Sequence, residues 1–414
     1  MAADADGGSR LDTAGYDPLD AADLSDPYRH YRRLREQCPV AWSNRLGAHI
    51  VSRHQDIKSI CRQPELFSNE GTIDAGFGDV KFLVMADDPL HRRQRNLVDQ
   101  VFTLQRVALL EPFLEELADR LIDGFVADGT CDLVQRFSLM IPANVIARML
   151  GVPVEDVDKF KRWAEDGIRA AANQEQYLEQ AMVSALELGE YVTAAVELRK
   201  PAIERGEPGD DLLTALITAE VDGNRLEPIE LFFVVWQLLT AGHETTTSLI
   251  SSAVALLSAH PEQRALLLAD PGLIEQAVEE VLRFEGPAQA MPRIAKQDLA
   301  LHGQTIKAGE KVTVMFGSGN RDPDIWADPD RFDITRPLAD TRRKQMAFGV
   351  GTHACLGANL ARLEGRVALR RLLARIPDIA VDPARPGQRA STHYVRGWEH
   401  LWVKWTPRAE DQAR

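Results

Sequence analysis

Apolar residues recur at helical spacing along most of the chain, and polar positions fall between them on the opposite face. This pattern predicts helices over 27–37, 89–101, 104–127, 133–150, 154–170, 175–199, 212–219, 228–259, 262–268, 272–284 and 356–376. The longest, 228–259, has Pro228 at its first position and Pro261 just beyond its end. At 1.5 Å per residue it would run roughly 45–50 Å, enough to cross a whole domain. The last carries Leu356, Leu360, Leu363, Val367, Leu372, Leu373 and Ile376 along one side. Strand-like alternation is confined to short pieces, 48–52, 299–301, 311–315, 379–381 and 401–405. No Gly/Ser linker, repeat or low-complexity tract divides the chain, and 201–211 reads as a loop between helices. The expectation is a mainly α protein with small peripheral β-sheets, one domain over 1–414, with residues 1–20 as a flexible tail.

Two places break the periodicity. The first is the polar block Thr240-Ala241-Gly242-His243-Glu244-Thr245-Thr246-Thr247, set inside the otherwise apolar 228–259 helix. Such a block is costly in a buried helix unless its groups find partners. Ala241 and Gly242 thin the helix there, and threonine hydroxyls can bond back to the i−4 carbonyl and bend or open it. Read alone, the block is equally a packed kink with a surface Glu. The second is the run Phe348-Gly349-Val350-Gly351-Thr352-His353-Ala354-Cys355-Leu356-Gly357, which sets a lone cysteine on a glycine-rich loop before the last helix. A sulfur there is favoured as thiolate by the helix N-terminus. Gly349 and Gly351 permit backbone conformations or close approach closed to other residues, Gly357 lets the first turn lie flat against a large partner, and Phe348 adds an aromatic face. Taken by itself, Cys355 also fits a small buried hydrophobe. The G-x-G-x-x-A spacing matches a dinucleotide loop, but no β-branched strand precedes it and Arg370 stands where an acid would be needed. Zinc lacks a second ligand pair, because Cys38, Cys61 and Cys131 lie far away in sequence.

Bulk composition narrows the classes. Hydrophobic residues make up 45% of the 414, enough for one large core. No apolar run reaches the length of a membrane span, and the first residues lack a signal-peptide pattern. The four scattered cysteines imply no disulfide framework, so a cytoplasmic setting without a membrane anchor is expected. A net charge of −14 argues against nucleic acid as a partner.

The decapeptide resembles the haem-binding loop of the cytochrome P450 family, F-x-x-G-x-x-x-C-x-G, and meets every fixed position; Ala361-Arg362-Leu363-Glu364 continues the likeness to bacterial members. Further signatures follow in order from about residue 85 to 364. Asp88-Pro89-Leu90-His91 through Arg95 resembles the family's H-x-x-x-R, and reads as a helix with Asp88 as its N-cap. Ala241-Gly242-His243-Glu244-Thr245 resembles A/G-G-x-D/E-T, and Glu280-Val281-Leu282-Arg283 is E-x-x-R. Asp328-Pro329-Asp330-Arg331-Phe332 resembles the P-E-R-F segment.

The resemblance implies a cytochrome P450 fold and a haem b cofactor. Cys355 would ligate the iron, within a haem-binding set of Ala241, Phe348, Gly349, His353, Cys355 and Gly357. His91, Arg95, Arg293 and His353 would meet the haem propionates. Glu244 and Thr245 would form the acid–alcohol pair that relays protons on the oxygen side. Glu280 and Arg283 would be a structural pair, with Arg331 as third partner and Arg336 in reserve. Substrate contacts by family position include Phe82, Val84, Gln237, Thr240, Ala241, Gln289, Met291 and Val395, with 168–175 nearby.

The implied activity is insertion of one oxygen atom from O2 into a hydrophobic small molecule such as a terpenoid, steroid, fatty acid or polyketide. Electrons from NAD(P)H would arrive through a separate ferredoxin or flavodoxin with its reductase, docking on a monomer near the basic clusters 92–95, 342–344 and 370–371. The alternatives are a peroxide-driven peroxygenase, a non-catalytic haem-binding protein, and a dehydratase or isomerase on the same fold. The first and third lose force because Glu244-Thr245 is intact.

Overall fold

The computed structural model describes residues 11–72, 81–171, 178–385, 387–389 and 392–408. Its contacts divide the chain into two compact units. The first is Met1–Ile73, Glu275–Cys355 and Arg389–Arg396, and the second is Asp74–Ile274, Leu356–Gln388 and Gly397–Arg414.

The first unit is built on a five-stranded sheet whose strands lie side by side in the order Val40–Ser43, Ala48–Val51, Lys311–Val314, Met291–Ala295 and Phe67–Ser68. The first two pair as a hairpin, Val40 opposite Val51, and Ala48–Val51 runs parallel to Lys311–Val314. Met291–Ala295 returns antiparallel with Arg293 opposite Val312. Val40, Val51, Ile57, Phe67, Val312, Val314, Phe316 and Met346 form the core on this sheet. Pro292 hides the Met291–Ala295 strand from pattern reading, because proline seldom sits inside a ladder. The short helices His54–Cys61 and Leu338–Lys344 are likewise too brief for periodicity to announce.

Residues 11–20 do not behave as the tail expected of them. The Leu11 carbonyl accepts from the Trp42 N–H at 2.8 Å, its N–H donates to Gln304 Oε1 at 2.9 Å, and Tyr16 is buried edge-on against Tyr31. Residues 1–10 lie outside the described part.

The second unit is helical, centred on Pro228–Ala259, whose boundaries match the pattern reading. Its start is fixed by Pro228 and by Glu230, whose Oε2 accepts from the Glu227 N–H at 2.9 Å. Around it pack Met140–Leu150, Val157–Ala171, Leu178–Glu204 and Ala358–Arg375. The predicted 104–127 helix is two, Leu104–Ala108 and Glu111–Asp123, because Pro112 has no N–H to donate and so opens a new helix. The 133–150 stretch starts with a wide turn at Val134–Ser138 before Met140–Leu150.

A ladder of ion pairs joins Ala358–Arg375 to Glu111–Asp123. Arg366 and Arg370 reach Glu111 at 3.0 and 3.1 Å, Arg370 reaches Glu115 at 2.6 Å, Arg371 holds Asp119 and Arg375 holds Asp123 at 2.6 Å. The basic cluster 370–371 is therefore matched by an acidic stripe of its own unit. The other two clusters are matched as well. Arg92 pairs with Asp88, Arg93 with Glu230 and Arg95 with Asp99; Arg342 pairs with Glu275 and Glu279, and Arg343 and Lys344 with Asp340.

Candidate active site

In the first unit the cysteine run forms a closed loop. The Gly349 N–H donates to the Met346 carbonyl at 2.9 Å, Ala354 to Gly351 at 3.1 Å, and Cys355 to the Phe348 carbonyl at 2.9 Å. Gly349 and Gly351 both have positive φ, +67° and +81°, the region other residues avoid. At Gly351 a Cβ would lie 2.1 Å from the Cys61 carbonyl oxygen, so the loop touches backbone there. Gly357 has an ordinary φ of −81° and serves as the N-cap of a helix that begins at Ala358, two residues later than the apolar pattern placed it.

Cys355 is exposed, whereas Cys38, Cys61 and Cys131 are buried. Burial pushes the Cys38 and Cys61 thiols up, and Cys131 to about 12, so those three stay protonated. The buried-hydrophobe reading thus fits the other three and not Cys355. Among the described residues no cluster of three metal-ligating side chains exists.

Arg293 is buried, donates to the Pro292 carbonyl at 2.6 Å, and reaches the Cys61 sulfur, whose pKa it lowers against the larger effect of burial. Cys61 therefore ties the Arg293 strand and the glycine loop together. His353 and Phe348, on the same loop as Cys355, are half-buried. The accessible Cys355 sulfur sits on a loop closed by hydrogen bonds and glycine turns, and a buried arginine is anchored to Cys61, on which that loop presses; this fits a haem-thiolate mount.

Arg283 is fully buried, and all five of its N–H groups are used. It grips Glu280 through two bonds of 2.7 Å and donates to the carbonyls of Asn320, Pro329 and Arg331 at 3.1, 2.8 and 3.0 Å. Arg336 is the third side chain, reaching Glu280 Oε1 at 3.3 Å. Arg331 supplies only its carbonyl, its side chain being exposed, so the expected role passes to Arg336.

Gln289 does not present itself to a ligand. It is buried, donates to the Gly286 carbonyl at 2.7 Å and covers Gly317, where a Cβ would meet its Oε1 at 2.1 Å. Met291 and Val395 are half-buried, and the Val395 N–H is held by Thr392 Oγ1 at 2.9 Å.

In the second unit the polar block leaves Pro228–Ala259 continuous rather than opened. Thr240 bonds back to the Trp236 carbonyl at 3.0 Å, Thr245 to Ala241 at 2.7 Å and Thr247 to His243 at 2.8 Å. Gly242 is thin where Ile146 approaches, a Cβ there falling 3.1 Å from Ile146 Cδ1, and Ala241 is exposed. Burial, reinforced by repulsion from Glu399, raises the Glu244 carboxyl to about 7. An acid with that value both holds and releases a proton near neutrality.

His243 is buried and held neutral, its pKa lowered to about 4 by burial and then by Lys161. Thr246 hydrogen-bonds Glu364, whose carboxyl is fully buried and raised to about 8. Glu364 and Glu399 were given no role from sequence. The signal for Glu364 was its place on the buried face of its helix, between Leu360, Leu363 and Val367. Nothing in the local pattern marks Glu399.

His91 is buried, with Nδ1 3.6 Å from Asp88 Oδ1. Burial lowers its pKa, and Arg95 adds to that against the pull of Asp88, so His91 and Arg95 lie close together, the arginine as the cation of the two. Arg95 is engaged by Asp99 at 2.8 Å. Asp88 does not cap the helix; that position is Pro89, and Leu90–Asp99 follows. Phe82 is 1% exposed, stacked on Phe233, and its carbonyl accepts from Gln237 Nε2 at 3.1 Å, so these two hold each other instead of facing a ligand. Val84, Thr240 and Ala241 keep accessible surface, and the 168–175 region lies partly outside the described residues.

Comparison with known proteins agrees over nearly the whole length. The cytochrome P450 family model matches residues 25–376. The vitamin D(3) 25-hydroxylase of Pseudonocardia autotrophica is 36% identical over 413 residues, covering 96% of this chain and 98% of the relative. The steroid C26-monooxygenase of Mycobacterium tuberculosis is 36% identical over 386 residues, covering 91% and 93%. Among solved structures, cytochrome P450 CYP109Q5 from Chondromyces apiculatus gives a TM-score of 0.86 at 35% identity, covering 96% of this chain and 100% of that one. CYP109E1 from Bacillus megaterium, crystallised with testosterone, gives 0.82 at 32% identity, covering 92% and 99%.

Proposed function

Because the chain belongs to the cytochrome P450 family, we propose that it inserts one atom of O2 into an apolar small molecule, with Cys355 as the thiolate ligand of a haem b. The overall reaction takes substrate C–H, O2, two electrons and two protons to substrate C–OH and water. The observation that carries this reading is the pairing of chemistries in one chain, an accessible cysteine on a closed loop and an acid with a pKa of about 7 one residue from a back-bonded threonine. When bound, the haem supplies O2 binding and one-electron chemistry.

The chain's own residues do the rest. Glu244 holds a proton at its carboxyl oxygen and gives it up near neutral pH. The Thr245 hydroxyl, donating to the Ala241 carbonyl, keeps its oxygen lone pairs available to accept from a donor on the oxygen side. His91, Arg95, Arg293 and His353 would hold the two propionate carboxylates, the arginines as cations and the histidines as donors. Val84, Thr240, Ala241, Met291 and Val395 retain accessible surface and are the proposed substrate contacts; Gln237 retains some too, but its amide is held by the Phe82 carbonyl.

A steroid-like or other isoprenoid ring system is the substrate class we favour, supported by the names of the vitamin D and steroid hydroxylases and by the testosterone complex. Electrons from NAD(P)H would come through a ferredoxin or flavodoxin and its reductase. The experiment is turnover of a steroid panel under labelled O2 with a surrogate ferredoxin system. One labelled oxygen per product is expected, with Thr245→Ala consuming electrons but diverting them to peroxide. Unlabelled product, formed only when unlabelled peroxide is added, would establish the peroxygenase instead.

A further inference from the structure

We propose that Glu285, Arg389 and Arg396 form a staple that holds the Val395 stretch in one conformation, which makes them positioning residues for substrate discrimination. This inference rests on the reading of Val395 as a substrate contact. Glu285 is the last residue of the helix Ile274–Glu285. The carboxyl end of a helix is its negative end, and burial disfavours a carboxylate further. Helix stability alone would not put a buried acid there, yet Glu285 is only 6% exposed. Two guanidinium groups offset the cost. Arg389 donates to Glu285 Oε1, and Arg396 Nε lies 3.6 Å from the same oxygen. One carboxylate thus gathers both ends of the stretch Arg389–Arg396, which belongs with Glu285 to the first unit.

Backbone bonds fix the far end of this stretch as well. Ala288 and Val395 form an antiparallel bridge, in which the Gln289 N–H donates to the Tyr394 carbonyl and the Arg396 N–H to the Pro287 carbonyl, both at 2.8 Å. The Arg396 guanidinium then reaches the end of the short helix Ala21–Ser25, donating to the Leu24 and Ser25 carbonyls at 2.8 and 2.9 Å. Its side chain is buried, whereas Val395 next to it keeps accessible surface. Extended chain produces that alternation, since neighbouring side chains point to opposite sides. Gln289, from the bridging segment, accepts from the Tyr31 hydroxyl at 3.4 Å, which ties that segment to the same amino-terminal region. Two residues on comes Met291, the other first-unit contact with accessible surface. The staple touches no substrate. It sets where Val395 stands, and so how large a ligand fits beside it.

The test is an optical titration of the ferric, haem-loaded protein with imidazole and with clotrimazole, a small and a bulky azole whose ring nitrogen binds haem iron. Imidazole reports the iron alone, and the ratio of the two dissociation constants reports the space around it. In Arg396→Met that ratio should change by roughly three- to tenfold, the effect of one or two lost hydrogen bonds. Arg396→Lys, which still offers a cation and donors, should restore most of it. Arg389→Met removes one limb at a more exposed position and should move the ratio the same way by less; it carries the test if Arg396→Met does not fold. Wild-type ratios in the methionine variants overturn the inference. So does a parallel loss for imidazole that Arg396→Lys does not rescue, which would mark a general structural role. Val395→Ala separates the two claims. If it leaves the ratio unaltered, the substrate-contact reading fails and the inference with it; if it moves the ratio while the methionine variants do not, only the staple falls.

Discussion

Glu364 occupies a helix position that its neighbours would give to leucine. Its carboxyl is fully buried, takes a hydrogen bond from Thr246, and leaves Oε1 without a partner. Such a group stays protonated, since burial raises it from the ordinary 4.5 to about 8. The native state then binds a proton that the unfolded chain releases between those two values. The resulting stability is complete below about 4.5 and is lost as pH rises through about 8. Glu364→Gln should therefore flatten the fall in thermal stability between pH 5 and pH 9, with the variant gaining on the wild type by a few kcal/mol at the alkaline end. Parallel melting curves for the two proteins would show that Glu364 ionises without penalty.

This residue also shows what sequence does and does not disclose. A charged residue on an apolar face is visible, but the depth of its burial depends on what packs over it. Cys355, Glu244, Thr245 and Arg283 each sit in a dense motif, and a motif matched as a unit is what singles them out in the sequence. Gln289, Phe82 and Gln237 were placed by family position alone, and the Gln289 amide turns to the Gly286 carbonyl, the Phe82 ring to Phe233, and the Gln237 amide to the Phe82 carbonyl.

At the scale of elements, helices with caps and a long apolar stripe were read almost to the residue, as Pro228–Ala259 shows. Elements of three to eight residues were missed where their identity comes from pairing, as in Val40–Ser43 and Met291–Ala295. The scaffold around Glu280 was mis-assigned for a related reason. Arg331 and Arg336 are equally plausible by charge, and only the path of the loop decides which guanidinium turns inward.

Three substitutions separate these roles. Arg283→Ala should cost about 3–5 kcal/mol or prevent folding, because it leaves a buried Glu280 charge. Arg336→Ala should cost about 1–3 kcal/mol, while Arg331→Ala should stay within roughly 0.5 kcal/mol of the wild type. Denaturant midpoints measure all three. Equal losses for Arg331→Ala and Arg336→Ala would contradict the hydrogen-bond geometry described above.

The whole molecule combines a net charge of −14 with arginine-rich helices whose cations are largely matched by nearby acids. A basic cluster in sequence is thus a poor guide to a docking surface here, since its partners can lie 255 residues away along the chain, as they do for Arg370 and Glu115. Among the described residues no helix is long and apolar enough to cross a membrane. Each unit carries its own core, one on a sheet and one around a long helix. The first mounts an accessible sulfur, and the second carries an acid and an alcohol in a continuous helix.

The claim on which the rest depends is that Cys355 ligates haem iron as a thiolate. The carbon-monoxide difference spectrum of the reduced, haem-loaded protein tests it directly. The strongly red-shifted Soret band of thiolate ligation is the predicted result, abolished in Cys355→Ala. A histidine-type Soret band in the wild type, or a red-shifted band that survives Cys355→Ala, would contradict it.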